Sequence, residues 1–152
     1  MSQNSDLVIK QFDYNSDLYK AELKLRNEVL RIPLGMSLYD EDLSTENSQW
    51  HIGAFLQSEL VGVLLLVPIG NNVIKMRQVA VNFPFQGKQI GSKLVSFAEN
   101  LAVLHGFNKM TLHARQTAVP FYLKLGYEIV SDEFTEVTIP HFKMQKSLGN
   151  IG

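Results

Sequence analysis

Cysteine is missing from the chain, which excludes disulfides, thiol nucleophiles and thiolate metal sites. A surplus of either charge is missing as well. The balance of 14 basic against 15 acidic residues leaves a net of -1, whereas a general nucleic-acid or anionic-membrane binder carries a basic excess. Long hydrophobic runs are absent too: the longest, Val61 to Ile69, is interrupted by Pro68 and falls far short of the roughly 20 residues that span a bilayer. The start, MSQNSDLVIK, has no cationic stretch followed by a long apolar one, so no secretory signal is expected there. The histidines at 51, 105, 113 and 141 show no ligand spacing such as H-x-x-x-H, so no metal is expected. These absences point to a cytoplasmic protein with neither nucleic acid nor membrane as a partner.

What is present is an ordinary globular composition, 45% hydrophobic and 19% charged over 152 residues, enough for one domain with its own core. No repeat, low-complexity tract or linker divides it, so a single domain over 1–152 is expected. A short stretch around Val8, Gln11 and Phe12 has strand character. Leu18, Ala21, Leu25 and Val29 then recur at helical spacing, with Asn15, Ser16 or Asp17 as the cap. From Arg31 to Ser48 the periodicity fails, and a loop with one short helix is expected. Its acids Asp40, Glu41, Asp42 and Glu46 read first as a solvated charge run, and second as a lure for a cationic amine.

Trp50 to Leu56 and Leu60 to Val67 read as a hairpin across Gln57-Ser58-Glu59, and Gly70-Asn71-Asn72 turns the chain into a strand from Val73 to Val81. Ile90, Leu94, Phe97, Leu101 and Leu104 mark one face of a helix that stops at Gly106. Met110 to His113 is a strand, Ala118 to Leu125 a helix, and Tyr127 to Val130 and Val137 to Met144 the closing strands. The order β-α-β-β-β-α-β-α-β-β makes a mixed α/β domain.

The junction between the third β-strand of that run and its helix is unusual. The segment RQVAVNFPFQGKQIGSKLVSFAENLA ends a strand, passes through Gly87 and Gly91, and starts a helix at once. A helix start presents unpaired backbone N–H groups and the positive end of its dipole, which attract anions, phosphates above all. Lys88 and Lys93 add positive charge, and the alternative is a tight turn with no ligand. The Walker spelling fails, because three residues rather than four separate the glycines and Ser92 precedes Lys93, and G-x-G-x-x-G is absent.

The stretch Gln86-Gly87-Lys88-Gln89-Ile90-Gly91 resembles R/Q-x-x-G-x-G/A, the acetyl-CoA-binding motif of the GCN5-related N-acetyltransferases (GNAT), with Gln89 where the middle glycine usually falls. Further on, ARQTAVPFYLKLGYEIV is similar to the family segment A-x-x-F-Y-x-K-L-G-F/Y, here Ala118, Phe121, Tyr122, Lys124, Leu125, Gly126 and Tyr127. The terminal EVTIPHFKM resembles the family's closing strand. Two motifs in this order and spacing, over an element order covering nearly the whole chain, carry the resemblance.

The resemblance implies a mostly antiparallel central sheet of six to seven strands, splayed in the middle and flanked by about four helices. It implies acetyl-CoA as cosubstrate, without a metal, and transfer of acetyl to a primary amine of a small molecule or peptide by direct attack. Val79, Ala80 and Val81 would pair with the pantetheine arm, an N–H near Val79 would polarise the thioester carbonyl, and the amides of Gln86, Gly87, Lys88, Gln89, Ile90, Gly91 and Ser92 would hold the pyrophosphate. Tyr122 stands at the family's general-acid position, with a half-buried core tyrosine as the alternative. Arg115 stands where many members carry a cofactor-binding asparagine, and either reaches a phosphate or is solvated at a strand end. The general base is left open among Glu136, His141, His51 and ordered water, the acceptor is open, and the assembly is open between monomer and homodimer. A catalytically idle acyl-CoA-binding or regulatory module on the same fold is the rival.

Overall fold

The computed structural model describes residues 6–149. The strands are β1 (Leu7–Phe12), β2 (Trp50–Leu56), β3 (Glu59–Gly70), β4 (Val73–Val81), β5 (Lys109–Arg115), β6 (Glu128–Ile129), β7 (Phe134–Glu136) and β8 (Ile139–Ser147). The helices are α1 (Leu18–Leu30), α2 (Ile90–Leu104) and α3 (Val119–Lys124), with 3₁₀ turns at Ile32–Leu34, Leu38–Asp40, Glu46–Ser48, Phe83–Phe85 and Gln116–Ala118. The strands follow the order β1-β2-β3-β4-β5-β8-β6, with β7 also on β8. Eight strands and three α-helices among the described residues replace the expected six to seven and about four. No helix among the described residues is long and apolar enough to cross a membrane.

One strand expectation is corrected. Val137 to Met144 is not continuous: Val137 and Thr138, at φ 44° and 69°, form a two-residue hairpin turn between β7 and β8. Both central residues lie in the left-handed region, the geometry that matches the twist of flanking strands, although neither is a residue that usually signals it.

The chain groups into two compact units, one comprising the chain up to Val67 with Gln78–Ala98, the other Pro68–Arg77 with the chain from Glu99. In the first, β1, β2 and β3 form an antiparallel meander, from Phe12↔His51 across to Leu56↔Glu59. Ile52, Ala54, Val61, Val63, Leu64 and Leu65 are fully buried there, as are Leu94 and Ala98 of α2. Gly62 permits this packing, since a Cβ at that position would meet the Leu94 Cδ1 atom at 2.9 Å.

In the second unit, Val73–Met76 of β4 runs parallel to Lys109–Leu112 of β5, and β5 pairs antiparallel with β8 from Lys109↔Ser147 to Arg115↔His141. Ile74, Met76, Met110, Leu112, Ala114 and Met144 are buried. Gly126, at φ +95°, closes α3 in the left-handed conformation that a side chain resists. Directly after it, the buried Tyr127 donates its hydroxyl to Glu99 Oε2 (2.8 Å), and Lys146 Nζ joins the same carboxylate (3.1 Å) and the Leu125 carbonyl (2.7 Å). The leucine-glycine-tyrosine end of the second motif is thus a structural corner.

Candidate functional site

The expected cofactor residues lie in the first unit. Val79 and Val81 are partly buried, Ala80 is buried, and the chain leaves β4 through Asn82, whose N–H bonds the Val61 carbonyl at 2.9 Å. Gln86 Nε2 reaches back to the Val81 carbonyl at 2.8 Å, fastening the turn to the end of the strand. Gly87 (φ +79°) and Gln89 (φ 66°) are both left-handed. Gln89 therefore holds, at some backbone strain, the conformation a glycine takes without penalty, which is why glycine is usual at this position.

The first helical hydrogen bond of α2 runs from Lys93 N–H to the Gln89 carbonyl at 3.1 Å. The N–H groups of Ile90, Gly91 and Ser92 precede any intrahelical partner by the geometry of a helix start. Gln86, Gly87, Lys88, Gln89 and Lys93 are exposed, and nothing lies within 4 Å of the position a Cβ on Gly87 would take. An exposed helix start with open space and two lysines suits a polyanion.

Within β4 itself, Gln78 is left-handed (φ 57°), so the strand kinks just before Val79. Its side-chain oxygen accepts from Arg26 Nε at 3.3 Å. Arg26 is fully buried and forks onto both oxygens of Glu46 (2.8 and 2.7 Å), while its Nη1 also reaches Glu22 (2.6 Å). His51 Nδ1 meets Glu22 Oε1 at 2.7 Å, and Nε2 meets the Glu46 carbonyl oxygen at 2.8 Å. Carboxylate and carbonyl oxygens only accept, so both ring nitrogens donate and His51 is an imidazolium. Burial alone would lower its pKa, but the Glu22 hydrogen bond and charge outweigh it and the pKa is raised. Two cations and two carboxylates balance in this cluster. Tyr19 donates to Glu46 at 2.8 Å, and its phenol is held well above its ordinary pKa by burial and by Glu46.

This cluster corrects two expectations. Glu46 is not solvated but is the buried partner of Arg26, while Glu41, its side chain 33% exposed, pairs with Arg31 at 2.5 Å. His51, with both nitrogens donating, has no lone pair with which to serve as a base. Asp40 and Asp42 are exposed, as the charge-run reading has it.

Tyr122 lies in the second unit, on α3. Its ring is buried, edge-on to Phe121 (4.9 Å) and to Tyr127 (5.7 Å), and burial pushes its phenol well above the ordinary pKa. Arg115 ends β5. Glu136 on β7 and His141 on β8, the other expected base candidates, are brought together in the same unit with a residue the sequence did not single out, His113 of β5. His113 Nδ1 lies 2.9 Å from Glu136 Oε1, and His141 Nε2 lies 3.8 Å from Glu136 Oε2. The signal that marks His113 is its place in the β5 alternation, opposite in face to the buried Met110, Leu112 and Ala114.

The strand β4 thus carries a left-handed residue, Gln78, and the chain runs from it into a glycine-bearing helix start. The family model for the Acetyltransferase (GNAT) domain matches residues 35–148. Bacillus subtilis YyaT is 32% identical over 144 residues, 92% of this chain and 95% of that protein. The streptothricin acetyltransferase of Escherichia coli is 26% identical over 97% of this chain and 84% of its own length. A Lactobacillus plantarum crystal structure assigned to the N-acetyltransferases superposes with a TM-score of 0.83 at 25% identity, covering 93% of this chain and 98% of that one. The chain belongs to the GNAT acetyltransferase family and is an acyltransferase.

Proposed function

We propose that residues 1–152 form one catalytic domain, a cytoplasmic N-acetyltransferase that moves an acetyl group from acetyl-CoA to a primary amine of a small molecule or peptide by direct attack. The observation that carries this reading is the exposed start of α2, with left-handed Gly87 and Gln89 and with Ile90 to Ser92 preceding the first helical hydrogen bond at Lys93. In this reading, the amides from Gln86 to Ser92 hold the pyrophosphate, and Val79, Ala80 and Val81 offer strand edges to the pantetheine amides. An N–H near Val79 stabilises the charge that develops on the carbonyl oxygen. Tyr122 gives its proton to the departing thiolate, and no metal takes part. The streptothricin-acetylating relative supports a small-molecule amine as acceptor.

Thermal melting with and without CoA tests the site. The wild type gains stability as ligand binds the native state alone. Gly91→Glu, which sets a carboxylate among the helix-start N–H groups, abolishes the shift. A full shift in that variant places the cofactor elsewhere. A wild type that binds CoA but releases no thiol with any amine is the rival, an idle acyl-CoA-binding module.

A further inference from the structure

His113 occupies a particular point on β5. The parallel ladder with β4 has its last rung at Met76↔Leu112, so His113 is the first residue of β5 past it, while the other edge stays paired with β8 through Arg115↔His141. In sheets with parallel strands, ligands collect where such a pair ends at its carboxyl side. The His113 side chain is 29% exposed, and its ring packs edge-on against Phe134 at 5.0 Å.

Its partner is well defined. Glu136 Oε1 lies 2.9 Å from His113 Nδ1. Burial pushes the Glu136 carboxyl upward, but the hydrogen bond and charge of His113, with His141 and Lys75 behind them, outweigh burial and hold it below the ordinary range. A carboxylate only accepts, so His113 Nδ1 is the donor to Glu136, and in the neutral ring the lone pair is then on Nε2. His141 supports the arrangement from the far side. Its Nδ1 donates to the Ile139 carbonyl at 3.0 Å, its ring stacks on Phe134, and its Nε2 faces the second Glu136 oxygen at 3.8 Å. A carboxylate that fixes the tautomer of a partly exposed imidazole is the arrangement by which a histidine is made a proton acceptor.

We propose that His113 Nε2 is the general base of acetyl transfer, with Glu136 as its positioning residue, and that the acceptor arrives as a protonated primary amine. This rests on the N-acetyltransferase reading above. His113 takes one proton from the ammonium group and passes it to water. The freed nitrogen lone pair attacks the thioester carbonyl, the C–N bond forms and the C–S bond breaks. The thiolate is protonated by Tyr122, and the second proton lost by the nitrogen returns through solvent to the tyrosinate. The exposed Glu136 carboxylate also draws the cation to the base. The other charged groups on or beside this face are Lys75 and Arg77 of β4, Arg115 of β5, and Lys143 of β8, which stands opposite His113 in register.

The test is the pH dependence of kcat/KM in wild type, His113→Gln and Glu136→Gln, with the CoA melting shift measured on each preparation. Two acceptors are compared: the best primary amine found for the wild type, and its β,β,β-trifluorinated analogue, which is weakly basic and arrives largely uncharged at neutral pH. His113→Gln is expected to lower kcat by about 10²–10⁴-fold on the ordinary amine and far less on the analogue, with the melting shift kept. In that variant the rate on the ordinary amine follows the free-amine fraction as pH rises. Glu136→Gln loses less and displaces the acid limb of the profile. Equal losses on both amines, or wild-type rates in His113→Gln, overturn the assignment while leaving the N-acetyltransferase reading intact. A wild type with neither melting shift nor thiol release overturns both.

Discussion

The proposed role of Tyr122 as proton donor requires a protonated phenol, and burial favours that form. Packed between Phe121 and Tyr127, its phenol sits well above the ordinary value near 10, so it is loaded as an acid throughout the neutral range. Tyr122→Phe keeps the ring and removes the proton. We expect kcat to fall by about 10²–10⁴-fold while CoA affinity and Tm change little; unchanged kcat on an acceptor whose turnover is limited by chemistry removes Tyr122 from the catalytic residues. A second residue-scale prediction concerns His51, whose pKa in the folded protein is raised. A raised value means the imidazolium contributes its full stability below the unfolded value of about 6.5 and loses it as pH rises through the folded value. The Tm gap between wild type and His51→Gln is therefore widest near about pH 6 and narrows toward about pH 9. A gap that widens with pH contradicts the imidazolium assignment.

At the scale of elements, the Arg26 guanidinium joins α1, the 3₁₀ turn at Glu46–Ser48 and the kink of β4, and His51 ties β2 to the Glu22 carboxylate and the same turn. Arg26→Met leaves Glu22 and Glu46 buried without their counter-charge. Breaking such a buried pair costs about 3–5 kcal/mol, so a large drop in Tm is expected by calorimetry; a loss below about 1 kcal/mol would mean the pair is weakly coupled to the fold. These links were not legible in the sequence. Glu46 looked like one acid in a polar run because its partner lies on a different element, and no local pattern records that. The Val137-Thr138 turn was missed for a related reason, since β-branched residues give no turn signal and the hairpin is imposed by pairing with β8. By contrast, β4 and α2 fall where periodicity put them, Val73–Val81 and Ile90–Leu104. The β4 alternation and the stripe of Ile90, Leu94 and Ala98 are set by the buried face of each element alone.

For the molecule as a whole, family and fold were legible because the two motifs lie at the ends of elements, where turn chemistry demands particular residues. The proposed proton acceptor was not, because His113 and Glu136 meet only across strand pairing, β5 with β8 and β8 with β7. The most direct measurement is free-thiol release from acetyl-CoA by the purified protein against polyamines, amino sugars, amino acids and peptides, with the acetylated product identified by mass. The expected result is thiol release that requires a primary amine, matches N-acetyl product in amount, and disappears in Gly91→Glu. Thiol release that is independent of amine, or CoA binding without release for any amine in the panel, would contradict it.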